Sequence, residues 1–100
     1  MKRTDKIANG TSFHDHTFTA TVDDLRNVLG QPKFESNDGQ DKCNFDWIME
    51  TQDGTVFTVY DWKEYRRLAE DETIEWHIGG RSGADTEKAL LEIREALMAY

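Results

Sequence analysis

The stretch from Cys43 to Gly80 constrains the fold most, because its pattern predicts three consecutive strands of an antiparallel sheet. Residues 43–51 alternate strictly between the two sides of a strand. The more apolar side carries Cys43, Phe45, Trp47 and Met49. The turn signal Asp53-Gly54 then joins this strand to a second strand at 55–63, and the two strands form a β-hairpin.

The second strand of the hairpin is apolar on both sides, so we predict that it is central in the sheet and covered on both faces. A third strand is predicted at 73–80, where the apolar side chains alternate with Glu75 and His77. A weaker alternation at 12–20 is compatible with a fourth strand.

Two helices are predicted beside these strands. Thr21 and Asp24 fit a capping box that opens a helix of about two turns, and Gly30 supplies its stop. Ser82 fits the cap of a second helix that runs to the chain end. One face of that helix carries Leu90, Ile93 and Leu97. The predicted fold is therefore α+β, with a three- or four-stranded antiparallel sheet, a short N-terminal helix and a C-terminal helix packed on one face.

The remaining segments are polar. Residues 1–10 are predicted to be a loose N-terminal arm, and residues 11–100 a single domain. Residues 31–42 contain the turn signal Asn37-Asp38-Gly39 and are predicted to form an exposed loop. Residues 64–72 are charged and could hold one helical turn.

The charge balance limits the classes of partner. The 100-residue chain has a formal net charge of −8, which disfavours general DNA or RNA binding, because phosphate backbones are bound by clustered Lys and Arg. An acidic surface suits solubility, a basic protein partner or mimicry of DNA charge. No run of about 20 apolar residues and no signal peptide is recognisable, so we expect a cytoplasmic protein that has no membrane partner.

The loop Gly79-Gly80-Arg81-Ser82-Gly83 is the best candidate for ligand binding, because it follows a strand and opens a helix. Backbone amides there could approach an anion, and Arg81 could pair with a phosphate. Trp62 and Trp76 could offer stacking faces for a base. The alternative, which we favour, is an ordinary strand-to-helix connection with a serine cap. The loop lacks the Gly-Lys-Ser/Thr of a P-loop.

Asp61-Trp62-Lys63 lies at the end of the second strand and has two interpretations. An aromatic residue between opposite charges can form a binding surface. It can equally be a core tryptophan between two solvated charges, which is the interpretation that we favour.

No metal, cofactor or catalytic set is predicted. His14, His16 and His77 could together supply metal ligands, but no cysteine partner is near. Cys43 is the only cysteine, so no internal disulfide forms, and its place in an alternating strand favours a buried structural thiol over a nucleophile. The acidic residues are scattered, and no Ser-His-Asp, Cys-His or paired-carboxylate arrangement is recognisable. We therefore predict a protein that is not an enzyme.

Four stretches of the chain resemble a family of small acidic proteins encoded by bacteriophages, whose motifs read LGEP, DGT-x-A-T-I-Y-D-W-K and WHIGG. The matching stretches here are 29–32, 46–50, 53–63 and 75–82, and the resemblance extends over about 21–97. The chain departs at Gln31, where Glu is usual, and at Phe57, where Ala is usual. The resemblance implies a phage accessory gene that acts in the cytoplasm of an infected bacterium.

Three hypotheses for function follow. The first is a non-catalytic protein that binds and inhibits a host antiviral defence component through a protein interface. The second is a sponge, possible as a homodimer, that sequesters a phosphate-bearing nucleotide signal at Gly79, Gly80, Arg81 and Ser82, with Trp62, Lys63 and Trp76 contributing. The third is a phage protein without a defence role.

Overall fold

The computed structural model describes all residues from Met1 to Tyr100 and has an α+β fold. A six-stranded antiparallel sheet is combined with two helices. The strands are β1 (Lys2–Arg3), β2 (Ser12–Ala20), β3 (Phe34–Glu35), β4 (Phe45–Glu50), β5 (Val56–Tyr60) and β6 (Ile74–Gly80). The helices are α1 (Val22–Leu29) and α2 (Gly83–Ala99).

The strands lie in the order β1–β4–β5–β6–β2, and β3 also pairs with β4. The predicted α+β class and antiparallel sheet are confirmed, but the predicted count of three or four strands is wrong. The two further strands, β1 and β3, have two residues each and pair with opposite ends of β4. Strands this short are below the length at which a period of two can be read from sequence.

Local signals place both helices where the sequence predicts them. Thr21 and Asp24 form a complete capping box at the start of α1, and Gly30, with a φ of 84°, ends the helix. At α2 the Ser82 hydroxyl accepts a hydrogen bond from the Asp85 amide at 3.1 Å. Residues 64–72, which could have held a helical turn, form no helix.

Both helices contribute to one core on the same side of the sheet. Helix α2 packs against β2, β5 and β6 and against α1. The Trp47 indole donates a hydrogen bond to the Gly30 carbonyl at the end of α1. The core combines one side of the sheet with residues of both helices, including Phe45, Trp47, Phe57, Val59, Trp76, Ile78, Leu25, Leu29, Ala89 and Ile93. We call the other side of the sheet the open face, because neither helix covers it.

The N-terminal segment, predicted as a loose arm, contacts the sheet at several points. Lys2 and Arg3 pair with Glu50 and Met49, and the Lys6 ammonium donates hydrogen bonds to Glu50 and to the Gly54 carbonyl. These contacts join residues distant in sequence, which a local pattern does not reveal. Neither helix of the chain combines the length and the apolar character that crossing a membrane requires.

Candidate functional site

The glycines of the predicted anion loop are explained by packing inside the protein. Gly79 and Gly80 are the last residues of β6, and they face opposite sides of the sheet. A Cβ atom on Gly79 would collide with the Thr58 hydroxyl on the open face, and one on Gly80 would lie 2.7 Å from the Thr86 methyl group on α2. Close approach of neighbouring side chains therefore accounts for both glycines.

Arg81 is engaged within the chain. Its guanidinium donates hydrogen bonds to the carbonyls of Ile7 at 2.7 Å and Asn9 at 3.1 Å, so it fastens the N-terminal segment to the end of β6. Together with the capping role of Ser82, these contacts match the interpretation of the loop as a strand-to-helix connection.

The two tryptophans predicted to stack on a base do not lie on the same side of the sheet. Trp76 is fully buried among core residues, and its indole donates a hydrogen bond to the Ala20 carbonyl at 2.9 Å. Trp62 has 40% of its side chain exposed and lies beside Tyr60 at the open face. Trp76 therefore has no ring surface to offer to a ligand.

The favoured interpretation of Asp61-Trp62-Lys63 as a core tryptophan between solvated charges is wrong. Asp61 is fully buried, and its carboxylate accepts hydrogen bonds from the backbone amides of Asn44 and Phe45 and from the Asn44 side chain. Trp62 is exposed instead. The reversal arises because β5 ends at Tyr60 and Lys63 takes a left-handed φ of 55°, so the strand alternation no longer applies.

An aromatic row crosses the open face. Phe13 stacks on His77 with ring centroids 4.5 Å apart, His77 lies 5.7 Å from Tyr60, and Tyr60 meets Trp62 edge-on at 6.1 Å. We call these four residues the aromatic row. Its two ends, Phe13 and Trp62, are each 40% exposed. The row thus offers large, rigid apolar surface on the side of the sheet that has no helix.

Two lysines accompany the Trp62 end of the row. The ammonium groups of Lys63 and Lys42 lie 5.5 Å and 5.8 Å from the centroid of the Trp62 ring, within the range of cation–π contacts. Lys63 therefore lies beside Trp62, as expected if Lys63 and Trp62 form one surface. Neither Lys63 nor Trp62 contacts Trp76.

Next to the row, a cleft of about 290 Å³ lies between the N-terminal segment and the sheet. Ala8 and Thr11 form its wall on the N-terminal side, and Ile48, Thr58 and Tyr60 contribute from the strands. Asp46 and Cys43 also line this cleft, and none of its lining residues is Lys or Arg. The cleft therefore combines hydroxyls, aliphatic surface and one carboxylate.

The Asp46 carboxylate is the charged group of the cleft. Burial raises its pKa to about 6, and the Asp61 carboxylate adds to the increase. Burial thus disfavours the ionised form of this carboxyl group. Its Oδ1 atom is buried and has no hydrogen-bond partner, which is uncommon for a buried polar atom in a folded protein.

Cys43 and Tyr60 are neutral neighbours of that carboxylate. Burial, followed by the Asp61 and Asp46 charges, raises the pKa of the Cys43 thiol to about 11, and burial also raises the pKa of Tyr60. A thiol held protonated is a poor nucleophile. Cys43 is half-buried and lines the open face, contrary to its predicted place beside Phe45 and Trp47, because β4 begins only at Phe45.

The three histidines make separate contacts. His14 approaches the Gly80 carbonyl, His16 approaches the Thr86 hydroxyl, and His77 stacks on Phe13. No group of three or more His, Cys, Asp or Glu side chains is placed to hold a metal ion.

Sequence reasoning missed Phe13, Tyr60 and Asp46 as candidate site residues. A usable signal existed for two of them. Asp46 and Tyr60 both have the parity opposite to the core residues of their strands, and they pair with each other across the turn formed by Gln52, Asp53 and Gly54. For Phe13 no such signal existed, because an irregularity between Phe13 and Thr17 shifts the register of β2.

Comparison of the chain with protein-family models, with curated proteins and with solved structures found no match.

Proposed function

We propose that this protein is a non-catalytic binding protein that attaches to a protein partner through the open face of its sheet. The observation that carries the proposal is the aromatic row, whose ends Phe13 and Trp62 are exposed on the side that no helix covers. Tryptophan, tyrosine and phenylalanine are enriched at the centres of protein interfaces. We further propose, from the resemblance to phage proteins, that the partner is a bacterial antiviral defence component and that binding inhibits it.

A row of rings on an open sheet is also a means of stacking nucleic-acid bases. The charge of the chain argues for a protein instead. With 20 acidic residues against 12 Lys and Arg, the surface as a whole repels a phosphate backbone. The two lysines beside Trp62 do not reverse that balance.

The nucleotide-sponge hypothesis has less support at its predicted position. Arg81 donates to backbone carbonyls, and Trp76 is buried. A phosphate at that loop would have to compete with Ile7 and Asn9 for the guanidinium.

The proposal is tested by affinity capture from a bacterial lysate with three folded baits: the wild-type protein, Trp62→Ala and Met98→Ala. Met98 is 87% exposed on α2. Met98→Ala therefore removes exposed apolar surface away from the open face and serves as the control for Trp62→Ala. We expect the wild type and Met98→Ala to retain one partner in stoichiometric amount, and Trp62→Ala to lose about 10-fold or more in affinity if Trp62 is a hot spot.

Two results would contradict the proposal. One is equal retention of the partner by Trp62→Ala combined with loss by Met98→Ala, which would move the interface to α2. The other is that no partner is retained by folded wild-type bait from a lysate of a strain whose defence the protein suppresses.

A further inference from the structure

The cleft on the open face contains a carboxylate that nothing in the chain neutralises. Asp46 takes part in none of the ion pairs of the protein, and neither does the nearby Asp61. Asp61 is compensated differently, by three hydrogen bonds from Asn44 and Phe45. Asp46 has no such bonds at its buried Oδ1 atom. The cleft therefore holds a half-buried carboxylate without a counter-charge, and ionising such a group without a partner costs free energy.

No hydrogen bond or ion pair of the chain uses the Asp46 carboxylate. The position of Asp46 in the sheet is fixed by its backbone, which pairs with Tyr60 on β5 and Phe34 on β3 and accepts a hydrogen bond from the Lys33 amide. An uncharged side chain of similar size would fit the same place. A costly group that stabilises nothing within the chain is better explained by something that the chain binds.

The rest of the cleft matches a long side chain that ends in a cation. Ala8 and Ile48 supply aliphatic wall of the kind on which the methylene stems of Lys and Arg pack. Thr11 and Thr58 supply hydroxyl oxygens as additional acceptors. Tyr60 adds an aromatic residue to the lining of the same cleft.

We infer that the cleft receives a Lys or Arg side chain of the protein partner, with its cationic head at the Asp46 carboxylate and its stem between Ile48 and Ala8. This inference rests on the proposed function for the source of the cation. The cation-binding property of the cleft itself does not depend on that source. The partner segment that crosses the aromatic row would thus place one basic residue beside apolar contacts.

The cleft is tested with small probes that imitate the two side chains, n-butylammonium and n-butylguanidinium, in an amide-resolved NMR titration of the full chain. We expect shifts at the amides of Asp46, Thr58, Tyr60 and Gly79, with dissociation constants on the order of 1–100 mM for ligands this small. n-Butanol and butyrate, which have a similar stem without the positive charge, should leave these amides unshifted.

Asp46→Asn keeps the shape of the side chain and removes the charge, so it should weaken binding of both cationic probes by about 10-fold or more. Glu75→Gln is the matched control, because Glu75 is an exposed acid on the same face, and it should bind the probes like the wild type. A thermal melt checks that Asp46→Asn is folded. We expect its melting temperature to equal or exceed that of the wild type.

The inference is overturned if the cationic probes do not perturb these amides, if n-butanol perturbs them equally, or if Asp46→Asn binds as tightly as the wild type. These outcomes are independent of the capture experiment. If a partner is captured through Trp62 but the cationic probes do not bind, the proposed function stands and the inference about the cleft is wrong. If the cationic probes bind but no partner is captured, the cleft is a cation site, and its assignment to a side chain of a protein partner is wrong.

Discussion

Asp61→Ala is expected to lower the free energy of unfolding by about 3–5 kcal/mol, because it leaves two backbone amides and one side-chain amide without their acceptor in a fully buried place. The amides belong to Asn44 and Phe45 and lie 2.8 and 2.9 Å from the carboxylate. The Asn44 side chain also bonds to the Arg66 carbonyl and to the Gly39 amide. Loss of the carboxylate should therefore loosen both loops around the start of β4.

Urea denaturation of the wild type and Asp61→Ala measures this difference. Asp71→Ala is a suitable control, because Asp71 is an exposed acid in the segment that follows and its replacement should change stability by less than about 0.5 kcal/mol. A loss below about 1 kcal/mol for Asp61→Ala would show that the buried hydrogen bonds do not carry the stability assigned to them.

Trp76 and Trp62, which the sequence offers as stacking residues, are expected to differ strongly in how much their replacement lowers the free energy of unfolding. Trp76→Ala is expected to destabilise the protein by about 3–5 kcal/mol, since it empties a core position. Trp76 packs against the rings of Trp47 and Phe45 and bonds to the Ala20 carbonyl. Trp62→Ala should cost less than about 1 kcal/mol, because its ring is partly in solvent.

Thermal and denaturant unfolding of the two variants checks this contrast. Similar losses of stability for both would mean that Trp62 serves the core and that the aromatic row is a structural cluster. The expected contrast would also validate Trp62→Ala as a binding variant, because a change in capture could then not be attributed to unfolding.

Elements with strong local signals could be predicted from sequence. The hairpin followed from strict alternation and the turn signal at Asp53-Gly54, and α1 followed from its capping box and the terminating glycine. Each of these depends on residues within a few positions of each other. The serine cap of α2 is of the same kind.

The open face could not be predicted in the same way. Its cleft joins the N-terminal segment to β4 and β5, and the segment is held there by long-range bonds from Lys6 and Arg81. The exposure of Trp62 depends on where β5 ends. Alternation predicts the side of a strand on which a residue lies, but it does not predict where the strand ends. The interactions that assemble the candidate site are therefore non-local, whereas the signals in the sequence are local.

A protein partner is proposed to contact the open face of the sheet. The most direct measurement replaces Phe13 with the photo-crosslinking residue p-benzoylphenylalanine, which keeps an aromatic ring at the exposed end of the row, and compares it with the same replacement at Met98 on α2. Irradiation in the bacterial lysate should yield one specific crosslinked protein from position 13 and none from position 98. A specific crosslink from position 98 alone would place the partner on the helical side and contradict the account.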